Sequence, residues 1–435
     1  MNRKRVVITG MGTVNPLGHT VVETWQGVLE GRSGAARTET FDASTFPSTF
    51  STQVRGFDLA DHIDPIDADA HATAGRYCKF AIAAAYEAWA QSGLAGCESL
   101  APARLGIYLG SGEGSLDFDN FISLLVDAWD QGQLDTRTWA DLAFERMDLY
   151  REAEQESNMV VAHLAAAFGV RGPAFNTLTA CAASTQAIGE AAMIIRHGDA
   201  DVVISGGAHS MIHPLGVTGF NRLTAISTRN DAYETASRPF DLTRDGFVLG
   251  EGASILIVED LEFARARGAT ILAEITGYGC SADAFRITDQ DPAGAGAAAS
   301  MTNALADAGI RPDEIDYISA HGTATKQNDQ VETRAVKSVF GRDTTVPMSS
   351  TKSMFGHLIA AAGATELITC VLALRDQVLP PTTNYQHPDP DCDLDCVPNT
   401  PRKHAVRTCM SNSFGFGGQN NTLIIRSCDD GEGNR

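Results

Sequence analysis

The pentapeptide Ile8-Thr9-Gly10-Met11-Gly12 returns past the middle of the chain as Ile275-Thr276-Gly277-Tyr278-Gly279, and this echo decides how the sequence is expected to fold. Each copy precedes an Ala-rich helical stretch that stops at glycine, Ala85 to Gly93 and Asn303 to Gly309, and then a short apolar strand. Those strands, Arg104 to Leu109 and Ile315 to Ser319, run into Gly110-Ser111-Gly112 and Ala320-His321-Gly322. Further on the order matches again: Ala174 to Thr179 leads into Cys181 and an Ala-rich helix, Val346 to Thr351 into His357 and another. Two halves of common design follow, residues 1–267 and 268–428, meeting at the basic junction Arg265 to Ala269, with a polar, frayed tail at 429–435. Strands alternating with helices, often with glycine at the turns, predict an α/β fold with largely parallel sheets. The stretches Ala182 to Ile195 and Leu358 to Leu374 carry few charges on any face, so they are expected as interior helices between the two stacked sheets.

Composition agrees with a large packed core: of 435 residues, 43% are hydrophobic and only 20% charged. A net charge of −21, from 54 acidic against 33 basic residues, excludes general attraction to nucleic acid or an anionic membrane surface. Any acidic partner must find a local basic patch. No apolar run approaches the roughly 20 residues of a membrane-spanning helix. Asn2-Arg3-Lys4-Arg5 followed by Val6-Val7-Ile8 reads as the approach to a strand, not as a signal peptide. Nine scattered cysteines make no disulfide framework, which fits a reducing cytoplasm.

The first chemical candidate is Cys181, placed by a strand, a tight turn and a buried helix at a helix N-terminus. Unpaired N–H groups and the helix dipole there are expected to favour thiolate, and the residue's own N–H can face a reacting oxygen. Alone, a cysteine among alanines is more often packing. His321 and His357 each stand where a strand ends, so the three side chains are expected to converge. Two weaker signals are set aside. Gly10-Met11-Gly12-Thr13-Val14-Asn15 has Asn15 where a dinucleotide fingerprint needs its third glycine, and His387, Cys392 and Cys396 have no fourth metal partner at a standard spacing.

Thr179-Ala180-Cys181-Ala182, Ala320-His321-Gly322-Thr323-Ala324-Thr325, Lys352-Ser353-Met354-Phe355-Gly356-His357 and Asn412-Ser413-Phe414-Gly415-Phe416-Gly417-Gly418 resemble the active-site signatures of β-ketoacyl-[acyl-carrier-protein] synthases, most of all the synthase II type. The likeness covers nearly the whole chain, including Ser227-Thr228-Arg229-Asn230 and Ser237-Arg238-Pro239-Phe240-Asp241. It implies a thiolase fold, five αβαβα layers built from two pseudo-repeated halves, as a homodimer. It implies decarboxylative Claisen condensation: Cys181 takes an acyl group from a carrier thioester, and the N–H groups of Cys181 and Phe416 hold the oxyanion. His321 and His357 bind the malonyl thioester carbonyl, while Lys352 pairs with Glu366 and keeps His357 oriented and neutral. Gly415 and Gly417 flank the gating Phe416, and Thr323 and Thr325 contact the carrier's phosphopantetheine arm, so no cofactor or metal of the protein's own is expected. Phe220 and Glu113 are expected on the substrate pocket.

The sequence also departs from that pattern. The basic patch on which such enzymes dock an acidic carrier reads Ile66-Asp67-Ala68-Asp69-Ala70-His71-Ala72-Thr73, leaving Arg76, Lys79 and Arg222 nearby. Asp127 to Gln155 is charged, aromatic and longer than usual, and Glu113 replaces an apolar residue beside the acyl pocket, unfavourable for a plain alkyl chain unless the carboxylate is paired or turned outward. A specialised or secondary-metabolic synthase is therefore expected alongside fatty-acid elongation. Two alternatives are a non-condensing chain-length partner subunit, which Cys181 speaks against, and a coenzyme A-dependent thiolase, which the paired histidines speak against.

Overall fold

The computed structural model describes residues 3–428; the tail expected at 429–435 lies outside the described residues. The first half supplies β1 (Val6–Val14), α1 (Arg76–Ser92), β2 (Leu105–Ser111), α2 (Met159–Phe168), β3 (Ala174–Thr177), α3 (Ala183–His197), β4 (Val202–His209) and β5 (Gly252–Asp260). The second supplies β6 (Ala273–Ala282), α4 (Ala295–Ala308), β7 (Tyr317–Ser319), α5 (Lys326–Phe340), β8 (Met348–Ser349), α6 (Ala362–Asp376), β9 (Thr408–Phe414) and β10 (Gln419–Arg426). Strand order is β3-β2-β4-β5-β1 in the first half and β8-β7-β9-β10-β6 in the second. The two orders correspond strand for strand.

The halves meet edge to edge, because β1 pairs antiparallel with β6 through Val6↔Ile275, Val7↔Glu274 and Ile8↔Ala273. Hydrogen bonding is thus continuous across ten strands. The expectation of largely parallel sheets is corrected: β2 is parallel to β3 and β4, and β7 to β8 and β9, while every other pairing is antiparallel. The reason lies in the connections, since β9 and β10 are joined by the short Gly415–Gly418 turn, which only an antiparallel pair accepts. Strand lengths differ as well. Val346 to Thr351 yields only Met348–Ser349, since the chain turns into the active-site segment at Ser350.

Layering follows from which helix touches which strand. Helices α1 and α2 cover the outer face of the first sheet, α4 covers the second with α5 against it, and α3 and α6 lie between the sheets in contact with each other. Every residue of α6 from Ala362 to Leu374 is buried, as the charge-poor sequence requires. Helices α1, α3 and α4 end on Gly93, Gly198 and Gly309 with φ of 69°, 85° and 68°, the left-handed cap that glycine adopts without a Cβ clash.

The repeated pentapeptide has two physical jobs. A register shift falls between Ile8 and Gly10 in one copy and between Ile275 and Gly277 in the other. Its glycines also let helix backbone press on the sheet: a Cβ on Gly10 or Gly12 would lie 2.1 or 1.9 Å from the Ala88 or Ala84 carbonyl oxygen, and one on Gly277 or Gly279 would lie 2.4 or 2.2 Å from that of Ala304 or Ser300. These glycines pack helices and cradle no phosphate. Gly12→Ala is therefore expected to destabilise the fold by about 3 kcal/mol in urea unfolding, because backbone atoms must move. Gly219→Ala is the control: nothing lies within 4 Å of its Cβ position, so a change within about 0.5 kcal/mol is expected, and equal effects at both positions would refute the packing argument.

Candidate active site

Both interior helices begin with the same strained turn. Ala180-Cys181-Ala182 forms a 3-10 turn ahead of α3, and Ile359-Ala360-Ala361 forms another ahead of α6. Ala180 and Ile359 hold φ of 48° and 49°, a left-handed conformation that such residues keep only where the surrounding structure enforces it. The first turn thrusts Cys181 toward the second half. The other loops converge from β7 and β8, which deliver His321 and His357.

His357 Nε2 lies 3.0 Å from Cys181 Sγ, and the His321 ring stands edge-on to the His357 ring with centroids 5.5 Å apart. All three line one cavity of about 280 Å3 together with Thr323, Thr325, Phe414, Gly415 and Phe416. The N–H groups of Phe416 and of Cys181 itself face the sulfur. The backbone fixes a proton as well: Ile359 N–H donates to His357 Nδ1 at 3.3 Å, so the neutral ring carries its hydrogen on Nε2 and points it at the sulfur. No protein group bonds His321 Nδ1 among the described residues.

Burial pushes the Cys181 thiol up to about 11, against the downward pull of the Lys352 ammonium and of the two N–H groups. The expected preformed thiolate is thus corrected: in the resting site desolvation outweighs the helix terminus, and the sulfur is a thiol. Burial also drives both imidazoles well below their usual range, and Lys352 adds to the effect. At neutral pH they are uncharged hydrogen-bond donors. Lys352 Nζ bonds Glu366 Oε1, both side chains buried, and burial pushes the Glu366 carboxyl up to about 7 while Lys352 opposes it.

A buried scaffold holds this geometry, and only part of it was legible beforehand. Glu332 accepts the backbone N–H of His321 and of Gly322, each at 2.8 Å, so one carboxylate from α5 fixes the loop that carries the histidine. One turn earlier, Asp329 accepts Phe240 N–H at 2.8 Å and Ala324 N–H at 3.2 Å, and it faces the Arg244 guanidinium at 3.4 Å. Two acids three residues apart on an otherwise amphipathic helix were the available signal. Phe247 was missed; its ring packs edge-on to both His357 and Phe220.

Other expected residues fall in different places. Thr323 and Thr325 bond each other at 3.0 Å on the cavity wall. Gly417 N–H donates to the Ile287 carbonyl at 2.8 Å, with φ of 87°, so the Gly415–Gly418 turn leans on the 283–290 segment. Phe220 packs against the apolar cluster around Cys181 without lining the cavity. Glu113 does not line it either: its carboxylate turns to His209 Nε2 at 3.4 Å and remains largely exposed, held down at about 2 by that histidine. Around it, the Asp127–Gln155 segment forms a small hairpin and the helices Thr136–Arg146 and Leu149–Ala153. Arg76 is committed to Glu251 at 2.8 Å, and Lys79 Nζ to the Ala72 carbonyl at 3.0 Å.

Cys181, His321 and His357 bring ligand atoms within 4.8 Å of one another, a spacing open to a soft metal ion. The Ile359 N–H argues for a donor set instead, because it leaves the proton on the His357 nitrogen that faces the sulfur. His387, Cys392 and Cys396 form no ligand group among the described residues.

A buried thiol facing two neutral N–H donors and two backbone N–H groups, at the junction of two pseudo-repeated halves, defines a condensing enzyme of the thiolase fold. Comparison makes this particular. Residues 3–264 match the β-ketoacyl synthase N-terminal domain and residues 272–386 the β-ketoacyl synthase C-terminal domain, and the chain belongs to the β-ketoacyl synthase family. The 3-oxoacyl-[acyl-carrier-protein] synthase 2 of Coxiella burnetii (strain RSA 493 / Nine Mile phase I) is 44% identical over 98% of this chain and 99% of its own. A β-ketoacyl synthase from Burkholderia phymatum STM815 superposes with a TM-score of 0.87 at 34% identity, covering 98% of this chain and all 100% of that one. A ketosynthase bound to the hexaketide, in complex with its type II PKS acyl-carrier protein, reaches 0.86 at 33% identity, with 98% and 100% covered.

Proposed function

We propose that the chain joins an acyl group held on Cys181 to a malonyl thioester delivered by an acyl carrier protein, giving a 3-ketoacyl thioester and carbon dioxide, in fatty-acid or specialised lipid and polyketide synthesis. The observation that carries this is the 3.0 Å approach of His357 Nε2 to Cys181 Sγ, with the His321 ring beside it in the same cavity. In the first step the sulfur attacks the acyl thioester carbonyl, and the proton it carried passes to the departing carrier sulfur. The carbonyl oxygen becomes negative against the N–H groups of Cys181 and Phe416, and the carrier thiol leaves with a proton.

In the second step the malonyl carboxylate departs as carbon dioxide, and the electron pair it leaves moves onto the thioester oxygen. Nε2–H of His357 and the His321 ring stabilise that enolate, and because both rings are neutral they donate without handing over a proton prematurely. The enolate carbon then attacks the acyl carbonyl and expels the Cys181 thiolate, which takes a proton from solvent to restore the resting thiol. Thr323 and Thr325, on the cavity wall, contact the phosphopantetheine arm, and Lys352 with Glu366 holds the charge balance behind His357.

Beyond the chemistry, a homodimer is supported by the edge of β3, unpaired among the described residues, where Phe175 on the strand and Leu178 just past it are each 52% exposed. No helix among the described residues is long and apolar enough to cross a membrane, which fits a cytoplasmic enzyme working on a carrier protein. The test is acylation of Cys181 from acyl-carrier protein against acyl-coenzyme A, followed by addition of malonyl carrier thioester. Acyl-carrier is expected to load the thiol and yield 3-ketoacyl product, and Cys181→Ala to yield none. Equal product from the variant would show that no nucleophilic condensation takes place on this sulfur.

A further inference from the structure

Some way from the catalytic cysteine, a second group of metal-ligating side chains is gathered where α1 and α2 meet the divergent segment. Cys78 on α1, Glu154 just past the helix Leu149–Ala153, and His163 on α2 bring a sulfur, a carboxylate oxygen and a ring nitrogen within 4.8 Å of one another. Cys78 and Glu154 are buried and the His163 side chain is only 13% exposed. No step of the condensation uses them.

Neighbouring groups hold the three side chains in place. His163 Nε2 lies 2.8 Å from Glu154 Oε1, and its other nitrogen, Nδ1, lies 3.0 Å from His71 Nδ1, so a second histidine is placed to orient the ring. The other Glu154 oxygen accepts Gly75 N–H at 2.9 Å, which aims the remaining oxygen into the group. The buried Tyr77 hydroxyl lies against the Cys78 sulfur, placed to donate to it once it is a metal-bound thiolate. Glu154 also lines a cavity of about 510 Å3.

We propose that Cys78, Glu154 and His163 bind a thiophilic divalent cation of the zinc class, with His71 as positioning residue and water as fourth ligand. One thiolate, one imidazole and one carboxylate with an open fourth position match the tetrahedral preference of zinc. On binding, the Cys78 thiol releases its proton to solvent and the sulfur lone pair forms the metal bond. The ion ties the divergent segment to α1 and α2, fixing the wall of the 510 Å3 cavity.

The full-length protein is tested in a Cys181→Ala background, which removes the other sulfur found among histidines. After chelator treatment and dialysis, cobalt(II) is added as a spectroscopic probe. The expected result is a thiolate-to-cobalt charge-transfer absorption that saturates at one equivalent and disappears in the added Cys78→Ser variant. His163→Gln keeps the sulfur and covers the case in which Cys78→Ser does not fold; it is expected to weaken cobalt binding at least about tenfold and to abolish the metal-dependent rise in Tm. His71→Phe is expected to weaken binding about 10- to 100-fold while leaving the absorption band in place. No band at one equivalent, a band that survives Cys78→Ser, or unchanged affinity in His163→Gln would overturn the proposal, and none of these results bears on the condensation.

Discussion

Alanine at His321 is expected to slow malonyl decarboxylation by about 10²–10³-fold while acyl transfer to Cys181 changes by less than about tenfold. The separation follows from position, because the His321 ring touches the His357 ring and the cavity but is not the group that meets the sulfur. Its donor is needed only once negative charge builds on the malonyl thioester oxygen. His357→Ala is expected to lower decarboxylation by a similar factor and also to slow acylation, though less, since its Nε2–H faces Cys181 Sγ at 3.0 Å. Carbon dioxide release from malonyl carrier thioester and mass spectrometry of the acylated protein read the two steps separately. Decarboxylation within about threefold of wild type in both variants would remove the enolate-binding role from these rings.

The second large effect concerns Lys352. Lys352→Met leaves the Glu366 carboxyl buried without its partner, and a loss of about 3–5 kcal/mol of stability is expected. The loss depends on pH with a definite sign. Burial already raises the Glu366 carboxyl to about 7 with the ammonium present, so without it the folded-state value is higher still. A raised carboxyl favours the fold while protonated, so the variant is expected to be most stable below about pH 4.5 and to lose stability as pH rises through 7 and beyond.

A second readout separates charge from scaffolding. Lys352 is the strongest influence holding the Cys181 thiol down against burial, so its removal raises the thiol above about 11. Alkylation of Cys181 by iodoacetamide at pH 8 is then expected to slow about tenfold, one unit of acidity. The double variant Lys352→Met with Glu366→Leu is expected to regain stability, because no unpaired charge remains buried, without regaining the alkylation rate. An alkylation rate equal to wild type in the single variant would show that the ammonium does not act on the sulfur.

Cys78, Glu154 and His163 gather where the Asp127–Gln155 stretch meets α1 and α2. Glu154 closes the charged Asp127–Gln155 stretch, and the same carboxylate reaches Gly75 N–H at the start of α1. In sequence this stretch reads only as charged, aromatic and longer than usual. Folded, it delivers a carboxylate to a cysteine and a histidine on two helices that the sequence gives no reason to associate.

What the amino-acid sequence determined by itself is the repeat and the identity of the reacting groups. Gly10, Gly12, Gly277 and Gly279 recur because each marks a strand position pressed by helix backbone, a constraint so local and so severe that it survives in the letters. Cys181, His321 and His357 were legible for a related reason, since each terminates a strand at matching places in two halves. Tertiary structure alone decided how those groups are charged and which proton each carries. The Cys181 thiol at about 11, the neutral imidazoles and the Nε2–H of His357 depend on burial, on Lys352 and on one Ile359 N–H, terms set by distances in space. The direction of the Glu113 carboxylate is likewise a matter of space: it turns to His209, a residue 96 positions away whose ring lies 3.4 Å from it. Electrostatic energy falls with separation and grows with desolvation, and neither quantity is written along the chain until it folds.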